Sequence, residues 1–313
     1  MRISLILFFN ILLSWLLTKF LIKPFKKIIP DIPNQRSSHI EVKPRGGGLA
    51  FILSNLLLSN FFNQVNFLFL FPLSLVGFLD DFLKISKWFR FLIQISTSFF
   101  ILYKSSYFEL ILTINDFKIE FFFVILFVFL CTGIINFCNF IDGIDGILSG
   151  SVLTFCLFST FVISESIWGI IGSLIGFLCW NWQPSKIFMG DIGSNFLGGV
   201  IIWILLTTNN INISIGLLLI LSPILVDPLI CLLRRFFNRE NILIAHNMHL
   251  YQRLIKGGLS HSNVSLIYIL STIFIGITFF IGGLKFEILS LIVVLLMGFW
   301  LENNYAEPYR KES

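Results

Sequence analysis

Long apolar segments alternate with short polar loops along the whole chain. Because a transmembrane helix needs about 20 mostly apolar residues, this pattern predicts an all-α fold, a polytopic membrane helix bundle of about 11 (10–11) transmembrane helices in a single domain over residues 1–313. The eleven apolar segments lie approximately at residues 3–22, 47–62, 65–79, 89–103, 120–137, 146–163, 166–182, 192–209, 212–233, 264–282 and 284–301. The loop between Lys104 and Glu120 is long enough for a small hairpin.

The composition excludes a soluble protein of this size. Of 313 residues, 56% are hydrophobic and 12% are charged, with a mean hydropathy of +0.90, whereas soluble domains carry about 25% charged residues. The chain is therefore expected in a lipid bilayer. Its five cysteines lie in or beside apolar segments without CxxC pairs, which indicates small buried residues and not a disulfide framework.

The basic residues predict an orientation. A net charge of +5 would suggest a nucleic-acid partner in a soluble protein, but the positive-inside rule explains it here, and no nucleic-acid partner is predicted. With the N-terminus outside, only Arg2, Lys104, Lys118 and Lys285 of the 22 Lys and Arg residues lie outside, which leaves 18 in the cytoplasm. The C-terminus is then cytoplasmic, and the first apolar segment, which lacks a cleavage site, is a retained span.

This orientation places every loop rich in Asp, Asn, His and Gly on the cytoplasmic face. Asp80 and Asp81 end the motif GFLDD, where paired carboxylates can hold a metal or accept a proton, or can simply form a solvated helix end. The motif NFCNFIDGIDG spaces two amides and two carboxylates by three residues, so a helical stretch would align them on one face. These four residues are Asn136, Asn139, Asp142 and Asp145.

Oxygen ligands of these types suit Mg²⁺ or Mn²⁺, although the motif could also be only an Asx-capped turn. The later motif FMGDIGSN describes a helix start, with Ser194 as its possible N-cap and Asp191 able to reach a metal, although it could also be an ordinary cap.

Two cytoplasmic loops carry candidate anion-binding groups. The first contains His39, followed by Arg45 and three glycines that permit a phosphate to approach the backbone. The second contains His246, His249 and Arg253, which suit a pyrophosphate clamp better than a zinc site because no third soft ligand is close in sequence. A basic loop attracted to anionic lipid is the alternative. Asp227, inside an apolar segment, could line the site or bond within the bundle.

Five ordered motifs resemble those of the polyprenyl-phosphate N-acetylhexosamine-1-phosphate transferases, the superfamily of glycosyltransferase family 4 that contains the phospho-MurNAc-pentapeptide translocase. They are the RSSH…PRGGG loop, GFLDD, NFCNFIDGIDG, FMGDIGS and the final histidine loop, and they extend from Asp31 to about Leu254. The pattern His246-Asn247-Met248-His249 departs from the HxHH pattern of the cell-wall branch and resembles the O-antigen-initiating subgroup.

The resemblance implies an enzyme of the bacterial inner (plasma) membrane that moves a sugar 1-phosphate from a UDP-amino sugar to undecaprenyl phosphate and releases UMP. It implies Mg²⁺, with Mn²⁺ possible, a cytoplasmic active site and, by analogy, a homodimer. The expected metal ligands are Asp191 and Asn139. The expected catalytic residues are Asp80, Asp81, Asp142 and Asp145. The expected substrate-binding residues are His39, Arg45, Arg90, Asn136, His246, His249 and Arg253.

Several alternatives stay open at this point. Transfer could be direct or could pass through an aspartyl intermediate, and GlcNAc, FucNAc, QuiNAc or a related amino sugar could be the cargo for O-antigen, capsule or cell-wall synthesis. A CDP-alcohol phosphatidyltransferase would need a DGxxAR element, which DGIDG lacks. A transporter would place polar residues near the bilayer midplane, whereas here they gather at one face.

Overall fold

The computed structural model describes residues 2–33, 41–83, 85–242, 244 and 246–309. In these ranges nearly all regular structure is helical. The α-helices are α1 (Arg2–Ile28), α2 (Gly48–Phe62), α3 (Phe71–Leu83), α4 (Lys87–Tyr103), α5 (Ser106–Leu112), α6 (Phe117–Ile141), α7 (Ile147–Ser159), α8 (Trp168–Asn181), α9 (Gly190–Thr207), α10 (Ile211–Ile220), α11 (Ser222–Phe237), α12 (Leu250–Lys256) and α13 (His261–Asn304). A short 3₁₀ helix spans Phe67–Leu70, and the strands β1 (Pro30–Asp31) and β2 (Lys43–Pro44) pair antiparallel.

Each predicted apolar segment coincides with helix, which confirms the all-α class. Two details differ from the prediction. The loop after Lys104 contains the short helix α5 instead of a hairpin. The segment 212–233 is broken into α10 and α11, which are bent by 73° relative to each other. Pro223 lies at the start of α11, where its missing N–H costs no helical hydrogen bond.

Helix α13 consists of two antiparallel arms. Gly283 interrupts it with φ 63° and ψ −162°, a conformation that favours glycine. Thr278 and Ser290, on either side of this break, share a hydrogen bond of 2.7 Å. At the far end, Arg253 Nη1 donates to Glu302 Oε1 over 2.7 Å, so the second arm returns to where the first begins. The separate predicted segments 264–282 and 284–301 correspond to these arms.

Helix length and composition identify fewer membrane crossings than the predicted count and do not confirm that count. Within the described ranges, α1, α6, α9 and α13 are long and apolar enough to cross a membrane, and the bent pair α10 and α11 would make five. Helices α2, α7 and α8 have 15, 13 and 14 residues, about 20–23 Å at 1.5 Å per residue, which is shorter than a hydrocarbon core of about 30 Å. The chain is an integral membrane protein, but a count of about 11 transmembrane helices is not confirmed.

Helix α9 is the centre of the bundle. It packs against α2, α3, α4, α6 and α7, and it is apolar and buried on all sides, as expected for a central helix. Its first turn is approached very closely by two glycines. A Cβ atom on Gly77 would lie 2.3 Å from the carbonyl oxygen of Asp191, and one on Gly48 would lie 2.4 Å from Gly193 Cα. Glycine at these positions therefore brings α2 and α3 into backbone contact with α9.

We expect Gly77→Ala to destabilise the protein by about 1–3 kcal/mol, because the added methyl group must displace the backbone of α9. Thermal unfolding in detergent, followed by intrinsic fluorescence, should show a lower Tm. Gly298→Ala is the matched control, because a Cβ atom there meets nothing within 4 Å. Equal unfolding temperatures for the two variants would contradict the proposed packing constraint.

Candidate active site

The polar loops meet at the N-terminal end of α9. The glycine loop before α2 lies on the segment that leads into α9, with Gly47 N donating to Phe188 O and Gly48 N to Met189 O, both over 2.9 Å. These two amides are therefore bonded within the protein and do not face a phosphate as predicted. The glycines serve close packing, since the backbone of Gly193 occupies the space beside Gly48 and the side chain of Phe177 occupies the space beside Gly47.

One arginine joins carboxylates from two helices. Arg90 Nη1 lies 2.5 Å from Asp80 Oδ2 and 2.8 Å from Asp191 Oδ2. Asp81, the other carboxylate of α3, accepts a hydrogen bond of 3.4 Å from Ile192 N at its Oδ2 atom. Gly190 permits this approach, because it has φ +75° and a Cβ atom there would lie 2.5 Å from Asp81 Oδ2. The structure thus brings three predicted site aspartates together.

Asp142 joins this group from the end of α6. The helix ends at Ile141, and Asp142 occupies the C-cap position with φ −78° and ψ 46°. Removal from bulk water raises the pKa of the Asp142 carboxyl well above its usual range, and the carboxylates of Asp191 and Asp81 raise it further. Like charges held together in this way favour binding of a cation.

Asn139 lies one turn before Asp142 and faces α9. Its Nδ2 atom donates to Ser194 Oγ over 3.1 Å. Ser194 is not the N-cap that was predicted, because α9 already begins at Gly190 with Met189 as its N-cap residue. Asn139 and Asp191 therefore approach each other from two different helices.

The oxygen donors of this cluster fit a hard divalent cation. Carboxylate and carboxamide oxygens are the ligands that Mg²⁺ and Mn²⁺ prefer. Within the described residues, Asp81 Oδ1 is buried and has no hydrogen-bond partner, which is costly for a carboxylate unless a cation or proton compensates. Asp81, Asp142, Asp191 and Asn139 are the residues that suit such an ion.

Asp145 is not part of the cluster. Since α6 ends at Ile141, the predicted alignment of four residues on one helical face breaks down after Asn139, and the loop turns Asp145 away. Its carboxylate accepts hydrogen bonds from Ser185 N (3.1 Å) and Ser185 Oγ (2.8 Å), and it lies 3.7 Å from Lys43 Nζ and 3.5 Å from His261 Nδ1. Burial raises the pKa of Asp145, but His261, Ser185 and Lys43 outweigh it and lower the pKa to about 2.

Asp227 holds the histidine loop in place. From α11 it accepts hydrogen bonds from Leu250 N (2.7 Å), Tyr251 N (3.1 Å) and Tyr268 Oη (2.7 Å), so its carboxylate satisfies the free amides at the start of α12. Tyr251 in turn donates from its hydroxyl to Phe140 O over 2.9 Å, which ties α12 to the end of α6. Of the two roles considered for Asp227, bonding within the bundle is the one observed.

Arg253 and the histidines have different surroundings. Arg253 is 2% exposed and is bound to Glu302 and to Glu307 O, so the structure does not bring it to the cavity that His246 and His249 line.

A further correction concerns the histidines themselves. Cys231 Sγ lies 3.9 Å from His246 Nδ1, so a third soft ligand is present, although it is distant in sequence.

A cavity of about 1290 Å³ connects the acidic cluster with the histidine loop. Its polar wall includes the predicted residues Arg45, Arg90, Asn136, Asn139, Asp142, Asp191, His246 and His249. Arg45 is also bound to Asp31, with Nη2 to Oδ2 at 3.0 Å. The predicted substrate-binding residue His39 lies outside the described residues. From the cluster the cavity continues as an apolar groove between α4, α6, α10 and α11.

Gln94 was missed by the sequence reasoning. It lines the cavity, is 1% exposed, and donates from Nε2 to Asn195 Oδ1 over 3.2 Å while its Oε1 accepts from Asn136 Nδ2 over 3.0 Å. This amide chain connects α4, α6 and α9 beside the acidic cluster. The available signal was a single glutamine inside an apolar segment, since a polar side chain at such a position needs partners.

Comparison with known proteins gives a consistent picture. The model of a family described as "Glycosyl transferase family 4" matches residues 63–209. A Bacillus subtilis protein named probable undecaprenyl-phosphate N-acetylglucosaminyl 1-phosphate transferase is 31% identical over 291 residues, covering 83% of this chain and 80% of that protein. The Thermotoga maritima undecaprenyl-phosphate alpha-N-acetylglucosaminyl 1-phosphate transferase is 36% identical over 169 residues, covering 54% and 53%. A Staphylococcus aureus phospho-N-acetylmuramoyl-pentapeptide-transferase is 33% identical over 219 residues, covering 58% and 68%.

We expect Asp145→Asn to reduce stability near neutral pH by about 2 kcal/mol, from the difference between a pKa of about 2 and the ordinary 3.8. Because the pKa is lowered on folding, this contribution is present above about pH 4 and is lost as the pH falls towards 2. Unfolding of both proteins should be compared at pH 7 and pH 3, where the difference should shrink. The control is Glu165→Gln in an exposed loop. An unchanged Tm for Asp145→Asn would contradict the structural role.

Proposed function

The chain belongs to glycosyl transferase family 4, and from this we propose that it transfers the phosphosugar of a UDP-amino sugar to undecaprenyl phosphate, with release of UMP. The relatives whose names specify undecaprenyl-phosphate sugar 1-phosphate transferases support this reading. Family membership also argues against the phosphatidyltransferase and transporter alternatives. The reaction would begin the assembly of a cell-surface polysaccharide such as O-antigen or capsule.

The observation that carries the proposal is the shape of the cavity. It runs along α6 from Asp142 to Phe129, a distance of about 20 Å at 1.5 Å per residue, and it passes from acidic and basic side chains to apolar ones. On α11 the residues Leu225, Leu229 and Leu232 form one face of the groove. A long isoprenoid chain with a terminal phosphate matches this sequence of surfaces, because its apolar tail fits the groove and its phosphate reaches the polar end.

The acidic cluster would hold the metal of the reaction. Asp191 and Asn139 are the proposed ligands of Mg²⁺, or Mn²⁺, with Asp81 and Asp142 close by. When bound, such an ion neutralises phosphate charge, which is the main electrostatic requirement when two anionic substrates meet. Arg90 adds a fixed positive charge at the same place, since it is held between Asp80 and Asp191.

Asp81, which is bound to the first turn of α9 beside the cavity-lining Asp191, is the proposed acceptor of a proton from the lipid phosphate. Asp80 is engaged by Arg90 at 2.5 Å, whereas Asp81 Oδ1 has no hydrogen-bond partner among the described residues. In the proposed reaction a phosphate oxygen of the lipid forms a bond to the β-phosphorus of the nucleotide sugar. The bond from that phosphorus to the bridging oxygen breaks, and UMP leaves with that oxygen.

The nucleotide sugar would occupy the end of the cavity near the histidine loop. His246 and His249 line this part and can orient a diphosphate, while Arg45 lines the cavity near the carboxylates of Asp81 and Asp191. The spacing of the two histidines differs from the HxHH pattern of enzymes that use a muramoyl-pentapeptide. We therefore propose an N-acetylhexosamine, or a deoxy form of one, without an attached peptide.

The reaction can be tested with purified protein, undecaprenyl phosphate and a panel of radiolabelled UDP-sugars. We expect UMP release together with transfer of the label into the lipid phase for at least one UDP-amino sugar. Chelation with EDTA should abolish transfer, and added Mg²⁺ or Mn²⁺ should restore it. Asp191→Ala should lower the rate to about a thousandth or less, a loss of about 4 kcal/mol of transition-state stabilisation.

The control for that variant is Glu165→Ala, which removes an exposed carboxylate from a different loop. Both variants should be recovered from membranes in wild-type amounts. An active Asp191→Ala enzyme would refute the metal assignment. Absence of lipid-linked label with every UDP-sugar, under conditions in which the protein remains folded, would refute the transferase proposal.

The lipid groove gives a separate prediction through Gly133 on α6. This residue lines the cavity, and a Cβ atom there meets nothing within 4 Å, so Gly133→Phe should fold while filling part of the groove. We expect the KM for undecaprenyl phosphate to rise by about tenfold, or about 1.4 kcal/mol, with little change in the KM for the UDP-sugar. Gly298→Phe, another open position, is the control. An equal rise in both KM values would contradict the assignment of the groove.

A further inference from the structure

Three soft ligands meet where α11 faces the histidine loop. One ligand atom from each of Cys231, His246 and His249 lies within 4.8 Å of the other two. Cys231 Sγ lies 3.9 Å from His246 Nδ1, which also accepts a hydrogen bond of 3.4 Å from Met248 N. The two imidazole rings are 4.7 Å apart between centroids. Cys231 precedes the two histidines by 15 and 18 positions in the chain, so the fold brings the three residues together.

The dimensions suit a tetrahedral ion. Zn²⁺ binds thiolate sulfur at about 2.3 Å and imidazole nitrogen at about 2.0–2.1 Å, so ligand atoms around it are about 3.5 Å from one another in tetrahedral geometry. Small side-chain movements would bring the three atoms from their present separations to this value. Carboxylate-rich surroundings select Mg²⁺ or Mn²⁺, whereas thiolate and imidazole select Zn²⁺ and similar ions.

A second observation concerns His249. The residue is 4% exposed, and its Nδ1 atom is buried with no hydrogen-bond partner in the described part of the chain. A buried polar atom without a partner costs free energy, and a metal bond would compensate for it. Cys231 is similarly buried, at 3% exposure. Water therefore does not solvate the side chain of either residue.

The charges around the cluster are also compatible with a divalent ion. Asp227 precedes Cys231 by four residues on α11 and therefore lies on the same face of that helix. Its Oδ1 atom is 4.0 Å from His249 Nδ1. One thiolate and one nearby carboxylate together balance the charge of a Zn²⁺ ion. The hydrogen bonds from Leu250 N and Tyr251 N to Asp227 hold the loop in the geometry that the ligands need.

We propose that Cys231, His246 and His249 form a binding site for a transition-metal ion of the Zn²⁺ type, distinct from the hard-cation cluster at Asp191. His246 and His249 line the cavity, so the fourth coordination position faces it and can hold water or an anionic oxygen of a bound ligand, as in zinc sites with three protein ligands. The site does not depend on the identity of the sugar or on the transfer reaction itself.

Cobalt substitution tests the site without any assay of activity. The full chain, purified in detergent and stripped of metal, is titrated with Co²⁺ and then with Zn²⁺. We expect a thiolate-to-cobalt charge-transfer absorption that saturates at about one site per chain, and added Zn²⁺ should remove this absorption whereas Mg²⁺ should not. Absence of this absorption in the wild-type protein would overturn the proposal without any mutation.

Variants identify the ligands. Cys231→Ala and His249→Asn should each abolish the charge-transfer band or weaken Co²⁺ binding by at least about tenfold, or about 1.4 kcal/mol. The matched control is Cys179→Ala, because Cys179 is an exposed cysteine. Asp191→Asn should retain the band, which separates this site from the proposed magnesium site. A band that persists in Cys231→Ala but disappears in Cys179→Ala would identify Cys179 as the thiolate ligand and refute the proposal.

Discussion

Mutual repulsion of half-buried carboxylates is the constraint on which the acidic cluster at the start of α9 depends. Asp81, Asp142 and Asp191 come from three different helices, and each disfavours the charge of the others in a place with little water. Close backbone packing holds Asp191 and Asp81 next to each other. Gly77 and Gly190 provide this packing, because side chains there would collide with Asp191 and Asp81. Arg90 offsets part of the repulsion, and the remaining negative charge makes the cluster suitable for a cation.

The helices could be predicted from the sequence because apolar segments are a local property. Even the two arms of α13 were separated correctly, since Gly283 and its neighbours interrupt the apolar pattern. The crossing count stays a prediction, because helix length within the bundle depends on packing against other helices as well as on the apolar pattern. Helix α8, for example, has 14 residues and is largely buried against α1 and α2. A short helix inside a bundle has the same composition as the centre of a longer membrane span.

The candidate site could be predicted where the alternation of spans and loops assigns polar residues to one side of the membrane, and where neighbouring residues in the chain share one chemical role. Asp80, Asp142 and Asp191 were expected at one face from loop parity alone, and the structure brings them together; their chemical roles stay predictions. The prediction for Asp145 was wrong because it extended helical periodicity past Ile141, where the helix ends with Asp142 as its C-cap residue. The contact between Cys231 and the histidine loop was missed for a different reason. This contact crosses a loop and depends on how α11 and α12 dock, which Asp227 determines through hydrogen bonds that no spacing rule contains.

The bend between α10 and α11 explains how one cavity can present both apolar and polar surfaces. Both helices line it, with Leu218 from α10 and Leu229 from α11, and the second half of α11 carries Cys231 next to the histidine loop. A straight helix would present one continuous face to the cavity, whereas a bend of 73° turns α11 towards the loops. Under the proposed function, a lipid acceptor must then approach along α4, α6 and α11, while a nucleotide sugar approaches from the histidine loop. The two phosphates can meet only where these paths join, and that place is the acidic cluster at the start of α9.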